Sequence, residues 1–302
     1  MTEGTIERLE ALARTDPTVA PLAALQATVL RSAAAPFWAE GVPALDRSRA
    51  VGSRPLLHGA TLTVDPARAR TLLLELAAAA VRAGAEDAAP LHRALGGGAR
   101  RAPARVDALA VIEASITGEP GRLEGLVAEA DVDLTVLATL GHLATLPLLQ
   151  ACGRRAAPLV EDLSWDAGYC PVCGGWPTLA ERRGLERQRW LRCGRCGAGW
   201  RRSQSQCAFC GNSDHRTQGY LAPEGDAESR RATTCDRCRS YLKAISTISP
   251  LTADEIGLQD LSTLELDVAA IEQGYTRPVA PGFPLELHLA PAPPRLGWLP
   301  WR

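Results

Sequence analysis

Four Cys-x-x-Cys pairs lie close together in the second half of this 302-residue chain, and they hold eight of its nine cysteines. Two thiolates of such a pair can bind one ion, and two pairs supply the tetrahedral sulfur shell that zinc or a single iron ion prefers. The pairs are Cys170 and Cys173, Cys193 and Cys196, Cys207 and Cys210, and Cys235 and Cys238. Four pairs therefore predict two closed metal sites.

The segments between the pairs indicate how the cysteines combine. Residues 174–192 and 211–234 each have the pattern of a β-hairpin, which would bring two pairs together as in rubredoxin-like or zinc-ribbon modules. This favours a first site of Cys170, Cys173, Cys193 and Cys196, and a second of Cys207, Cys210, Cys235 and Cys238. An interleaved grouping stays open, but residues 197–206 would then have to close a site by themselves. Short strands are predicted at 178–182, 188–192, 199–203, 219–222, 231–234 and 240–245.

The cofactors predicted are two mononuclear metal ions, iron or zinc, because spacing does not distinguish these metals. An iron–sulfur cluster is less favoured, because cysteines arranged in even pairs match mononuclear sites. Residues 168–245 contain 14 Arg or Lys against 7 Asp or Glu, and this excess would offset the formal charge of −2 on each sulfur-ligated divalent ion. His215 is a weaker candidate ligand, and Cys152 is expected in the core.

Outside this block the hydrophobic pattern predicts helices. The fold class predicted is α+β, with an all-helical domain over 1–165, tandem rubredoxin-like modules over 166–250, and a C-terminal helix with a Pro-rich tail over 251–302. Asp65 and Pro66 are typical of a helix start. Residues 35–63 are expected to be irregular, and no strand is expected before residue 165. Helices are predicted at 3–14, 17–30, 65–83, 86–95, 103–116, 119–130, 133–152 and 253–273.

Composition and the chain start predict a cytoplasmic protein. The net charge of −1 and 46% hydrophobic content are ordinary for a globular chain. The first residues lack the pattern of a signal peptide. Residues 134–152 are apolar, but Pro147 interrupts them and they are short for a membrane span of about 20 residues. In the cytoplasm thiols stay reduced, which favours metal binding over disulfides.

Three function classes fit these features, and none is an enzyme, because no nucleophile elbow, phosphate-binding loop or carboxylate pair is recognisable. The first is an interaction module folded around metal. The second is a zinc-ribbon nucleic-acid binder that uses Arg residues with Trp190, Trp200 and Phe209. The third is a redox-sensing regulatory protein that uses iron or released thiols.

The residues around the cysteines distinguish these classes further. Cys170-Pro-Val-Cys173-Gly174, Arg189-Trp-Leu-Arg-Cys193, Cys207-Ala-Phe-Cys210 and Cys235-Asp-Arg-Cys238 occur in order, followed by Tyr241-Leu-Lys243 and Gly274-Tyr-Thr-Arg277. This series resembles the formate dehydrogenase accessory protein FdhE family. The resemblance implies a cytoplasmic maturation factor with rubredoxin-type sites and no turnover. It implies the catalytic subunit of a molybdenum- or tungsten-containing formate dehydrogenase as partner, with no membrane and with nucleic acid disfavoured. Lys243, the chain's single lysine, falls on the family's Tyr-Leu-Lys motif.

Overall fold

The computed structural model describes residues 2–96, 105–119, 121–128 and 130–293. Helices dominate the first half, as the hydrophobic pattern predicts. Asp65 begins α4 as expected, since its carboxylate accepts a hydrogen bond from the Ala67 N–H at 2.9 Å. The helices are α1 (Thr2–Thr15), α2 (Ala20–Ala33), α3 (Phe37–Glu40), α4 (Pro66–Arg82), α5 (Ala89–Ala94), α6 (Ala108–Thr117), α7 (Arg122–Val127), α8 (Leu134–Val160), α9 (Ala253–Leu261) and α10 (Leu264–Glu272).

The strands form two sheets. They are β1 (Ala60–Val64), β2 (Leu179–Arg183), β3 (Gln188–Arg192), β4 (Gly199–Arg201), β5 (Gln218–Leu221), β6 (Arg230–Cys235), β7 (Ser240–Thr247) and β8 (Leu287–Pro291). The larger sheet has the order β4-β3-β2-β7-β6-β5. Two antiparallel hairpins, β2–β3 and β5–β6, are joined because β7 pairs parallel with β2 and antiparallel with β6. The two predicted cysteine modules therefore share one sheet, and the α+β fold class is confirmed.

Strand β1 corrects the expectation of no strand before residue 165. It pairs parallel with β8, so that Ala60 lies opposite Leu287 and Val64 opposite Pro291. Alternate residues of β1 are buried, which is the pattern of a half-buried strand. Its partner is more than 220 residues away, so nothing in the local sequence indicates the pairing. Residues 35–63, expected to be irregular, contain α3, a 3-10 helix at Arg47–Ser53 and most of β1.

The single helix predicted over 253–273 is divided into α9 and α10. The break is at Thr263, whose φ of −130° is not helical and whose hydroxyl donates back to the carbonyl of Gln259 at 2.8 Å. The end of the chain then passes the first cysteine pair: Trp176 donates to the carbonyl of Ala280, and Phe283 N–H to that of Gly174. Phe283 thus anchors the tail to the first cysteine pair. The end of the Pro-rich tail and parts of the helices predicted at 103–116 and 119–130 lie outside the described residues.

The main hydrophobic core continues from the helices into the first cysteine module. It contains Leu72 and Leu148 of α4 and α8 together with Leu191 of β3, Cys170 and Cys196. Helix α8 is long and apolar enough to cross a membrane, but 61% of its most apolar window is buried inside the protein, as expected of a core helix. The division of the chain into domains at residues 165 and 250 stays a prediction.

Candidate metal centres

The structure groups the eight cysteines into two clusters, and the grouping is the sequential one. The first cluster contains Cys170, Cys173, Cys193 and Cys196, and the second contains Cys207, Cys210, Cys235 and Cys238. Within each cluster the four sulfur atoms lie within 4.8 Å of one another. We call residues 170–201, with β2, β3 and β4, the first module, and residues 207–238, with β5 and β6, the second module.

The sulfur positions fit a tetrahedral ion. In the first cluster the Sγ atoms of Cys170 and Cys196 are 3.5 Å apart, as are those of Cys173 and Cys193. In the second cluster the corresponding Sγ distances are 3.7 Å for Cys207 and Cys238, and 3.8 Å for Cys210 and Cys235. A tetrahedron with metal–sulfur bonds of about 2.3 Å places its sulfurs about 3.8 Å apart. The donor set therefore suits zinc or mononuclear iron at both positions.

Three of the four cysteine turns use the same backbone conformation. In each, a glycine directly after the second cysteine takes a positive φ, and its N–H bonds to the carbonyl of the first cysteine. These glycines are Gly174, Gly197 and Gly211, with φ between 70° and 77°. The glycines are needed because this left-handed conformation is strained for other residues. The turn points both sulfurs of a pair to one side.

The fourth turn has Arg239 in the position of the glycine, with φ 53°. Contacts outside the turn hold this arginine in place. Its guanidinium donates to the carbonyl of Gln273 and lies 4.1 Å above the ring of Tyr275. The turn of the second module is thus tied to the end of α10.

The helical part of the protein encloses the first cluster. All four of its cysteines are buried. The N–H groups of Leu56 and Leu57 donate to the carbonyls of Pro171 and Val172, at 2.8 and 3.0 Å. Helix α8 approaches so closely that a Cβ at Gly153 would overlap the carbonyl oxygen of Cys196. The first cluster is therefore part of the protein core.

Arg195, inside the second turn of the first cluster, fixes this turn to α6. Its guanidinium donates to the carbonyls of Ser115 and Ile116, at 3.1 and 3.0 Å. These carbonyls belong to the last turn of α6, where cations are stabilised by the helix dipole. Sequence reasoning did not identify this contact, because α6 is about 80 residues away in the chain.

The second cluster lies nearer the surface. Cys210 is exposed and Cys238 half-buried, whereas Cys207 and Cys235 are buried. Asn212 donates from its amide to the Sγ of Cys235 at 3.7 Å. Burial tends to raise the pKa of Cys235, but the N–H groups of Cys238 and Arg237 and the Asn212 amide outweigh it and lower this pKa to about 7. Asn212 was not a predicted site residue, although its position just after the third turn could have indicated it.

The thiols of the first cluster are buried away from water, and this changes their pKa values. Burial raises the pKa values of Cys170 and Cys196 well above the ordinary value, while hydrogen bonds from the other thiols lower that of Cys173. Stabilising several thiolates so close together without water requires a cation. A buried ion would meet that requirement.

The remaining candidates lie outside the clusters. His215 is exposed and belongs to neither cluster. Cys152 is buried in α8, and burial raises its pKa to about 12. Of the aromatic residues expected on a nucleic-acid face, Trp200 is buried, Trp190 lies under the guanidinium of Arg183, and Phe209 packs against Trp176. These three rings are engaged within the protein.

Lys243 makes a buried ionic network that sequence reasoning did not predict. Its side chain is 1% exposed, and its ammonium lies 2.7 Å from a carboxylate oxygen of Asp260 and 2.6 Å from one of Asp267. Arg277 binds the same two carboxylates. The network attaches β7, the strand between the two modules, to α9 and α10.

Fold and clusters together define a helical protein that carries two zinc-ribbon-like, four-cysteine modules in one sheet. Comparison with known proteins finds a family that matches part of the chain. The family model described as FdhE, C-terminal domain, matches residues 205–282, which include the second module and both C-terminal helices. This part of the chain therefore resembles the C-terminal domain of the FdhE family.

Two curated relatives match a segment of the chain, and one solved structure matches its fold. The chain is similar to the Protein FdhE homologs of Aquifex aeolicus, with 31% identity over 39% of this chain and 42% of the relative, and of Stutzerimonas stutzeri, with 33% identity over 37% of each. The matching segment thus spans about two fifths of the length of these relatives. The crystal structure of the FdhE protein from Pseudomonas aeruginosa covers 93% of this chain and 94% of its own, with a TM-score of 0.51 and 22% identity. That likeness concerns the fold alone.

Proposed function

We propose that this protein is an accessory factor for formate dehydrogenase, which binds the catalytic subunit of that enzyme in the cytoplasm during assembly. It would have no catalytic turnover of its own. The observation that carries the proposal is the match of residues 205–282 to the FdhE C-terminal domain on a chain with two four-cysteine clusters. The series of cysteine-flanking residues that resembles the formate dehydrogenase accessory family supports the same function.

We also propose that each cluster holds one zinc or iron ion, with its four cysteines as ligands. The sulfur separations of 3.5 to 3.8 Å support this assignment. When bound, such an ion crosslinks two distant turns and contributes folding free energy to a segment with little core of its own. The ions would then hold the partner-binding surface in shape.

Affinity purification from the native host tests the proposed partner. A tagged full-length chain should retain the catalytic subunit of formate dehydrogenase, identified by mass spectrometry. A host without the protein should contain inactive formate dehydrogenase. If the subunit is never retained and the enzyme is fully active without the protein, the proposal is wrong.

Two variants separate the metal sites from other thiol effects in that experiment. Cys210→Ser removes an exposed ligand of the second cluster and should reduce recovery of the catalytic subunit. Cys152→Ala removes the thiol that belongs to neither cluster and should leave recovery unchanged. Equal recovery with both variants would show that the second cluster does not support partner binding.

A further inference from the structure

One face of the six-stranded sheet carries a cavity of about 190 Å³ beside the second cluster. Its floor is formed by two small residues, Ala180 of β2 and Ala244 of β7, which are opposite each other in the sheet. Its walls include three arginines, Arg182, Arg189 and Arg231. The cavity is smaller than the roughly 300–1,000 Å³ of a drug-sized ligand site.

The register of the strands directs these arginines to the same face. Arg182 of β2 is directly opposite Arg189 of β3, and Arg231 of β6 is directly opposite Ala244. Side chains of directly opposed residues are neighbours, and like charges in that arrangement destabilise a sheet. An anion between a pair of opposed arginines and a third would therefore be stabilising.

The described residues supply little negative charge to this cavity. Glu228, exposed at the rim, pairs with Arg182 at 3.4 Å and also with Arg187. Arg189 donates only to the backbone carbonyls of Ser203 and Gln206. Within the described part of the chain, Arg231 has no acidic partner, and its buried Nε has no hydrogen-bond acceptor. Its guanidinium lies 5.1 Å from the centre of the Tyr220 ring.

The electrostatics of the arginines agree with this description. Burial lowers the pKa of Arg189 to about 10, and Arg202 and Arg231 act in the same direction while Cys207 opposes them. Burial also lowers the pKa of Arg231, with Arg182 and Arg187 in support. The charged forms of Arg189 and Arg231 are therefore disfavoured by burial and also by neighbouring arginines, and a bound anion would stabilise them.

We propose that this cavity binds a small oxyanion, a carboxylate or phosphate group, held by Arg231, Arg182 and Arg189. Guanidinium groups present planar pairs of N–H donors that match both kinds of oxyanion. The alanines leave space for the anion over the sheet, and Tyr220 flanks Arg231 at its edge. The site is independent of the proposed enzyme partner.

The alternative role of these arginines is to balance the charge of the second metal site. Cys207 and Cys235 also line the cavity, so this explanation applies to Arg189, whose pKa responds to Cys207. It does not explain Arg231, since arginines and Tyr220 are the charged or titratable groups that act on it. Arg231 is accordingly the residue to test.

The test is titration calorimetry on the full-length, metal-loaded protein with inorganic phosphate and, separately, with acetate, at constant ionic strength set by chloride. At least one of the two should bind saturably. Arg231→Gln should weaken that binding about tenfold or more, because one charge-assisted interaction is lost. Arg231→Lys keeps the positive charge but lacks the paired N–H donors of the guanidinium. Its affinity for the anion should lie between those of the wild type and Arg231→Gln. The metal content should not change.

Arg216→Gln is the matched control, because Arg216 lies in the same module with its side chain 82% exposed. It should bind the anion as the wild type does. A thermal scan provides a second readout, since the anion should raise the Tm by about 5 °C at a hundred times its Kd. The proposal is overturned if neither anion binds, if Arg216→Gln weakens binding as much as Arg231→Gln, or if Arg231→Gln and Arg231→Lys lose metal.

Discussion

The two cysteine modules have the same local chemistry but different surroundings. Each has two Cys-x-x-Cys turns joined by a hairpin, and their sulfur separations differ by only a few tenths of an ångström. The first cluster is buried among helices and belongs to the main core, whereas the second has an exposed ligand and a small core of its own. A shared cysteine motif therefore does not imply shared surroundings: the first cluster belongs to the main core, and the second lies at the surface.

Replacement of one cysteine in each cluster should produce the largest difference between the two modules. Cys193→Ser in the first cluster should remove one metal equivalent and unfold the sheet together with part of the helical core, because the cluster is continuous with that core. Cys210→Ser in the second cluster should remove one equivalent but leave the first-half helices folded. Metal analysis and far-UV circular dichroism measure both effects. Equal loss of helix in the two variants would contradict the distinction.

Lys243 tests the connection between the modules. Lys243→Met leaves Asp260 and Asp267 with fewer cationic partners in a buried position, and should lower the free energy of unfolding by about 3–5 kcal/mol. Arg31→Met removes an exposed ion pair with Glu10 and should cost no more than about 1 kcal/mol. Denaturant unfolding measures both values. A similar small cost for the two variants would show that the buried network does not hold β7 to the C-terminal helices.

Gly153 tests how tightly the helices hold the first cluster. Gly153→Ala introduces a Cβ that overlaps the backbone of Cys196, and should lower the free energy of unfolding by about 1–3 kcal/mol. Gly125→Ala, in an exposed and open position of α7, should instead stabilise by about 0.5–1 kcal/mol. If both variants are stabilising in thermal unfolding, α8 does not press on the first cluster as described.

The smallest expected difference between the two clusters is the rate at which a chelator removes the metal. A chromogenic chelator should remove the ion of the second cluster roughly tenfold faster than that of the first, a difference of about 1.4 kcal/mol in activation free energy. The reason is that Cys210 and Cys238 are accessible, while all ligands of the first cluster are buried. Stopped-flow absorbance should show two phases in the wild type and the slow phase alone in Cys210→Ser. A single phase in the wild type would remove the kinetic distinction.

The sequence predicted the cysteine grouping because hairpin pairing is local. Gln188–Arg192 was located to the residue, and the other strands of the modules to within a few residues. It did not predict the pairing of β1 with β8 or the hydrogen bonds of Arg195 to the end of α6, because these contacts join residues about 80 or more positions apart. The different burial of the two clusters was also unpredictable, since it depends on how α8 packs and not on the motif.

The arginine-lined cavity could not be predicted from the sequence either. The excess of basic residues over 168–245 was visible in the sequence and was interpreted as charge balance. Only strand register shows that Arg182 and Arg189 are directly opposed and that Arg231 shares their face. The same number of arginines distributed over both faces of the sheet would not form this cavity.

Metal content of the intact chain tests the central assignment most directly. Protein purified without air should contain two equivalents of zinc and iron combined per chain and no acid-labile sulfide, because we propose that the four sulfurs of each cluster bind one ion. Cys193→Ser and Cys210→Ser should each lower the total by one equivalent, and Cys152→Ala should leave it at two. Less than one equivalent in the wild type, or iron with stoichiometric sulfide, would contradict two mononuclear four-cysteine sites.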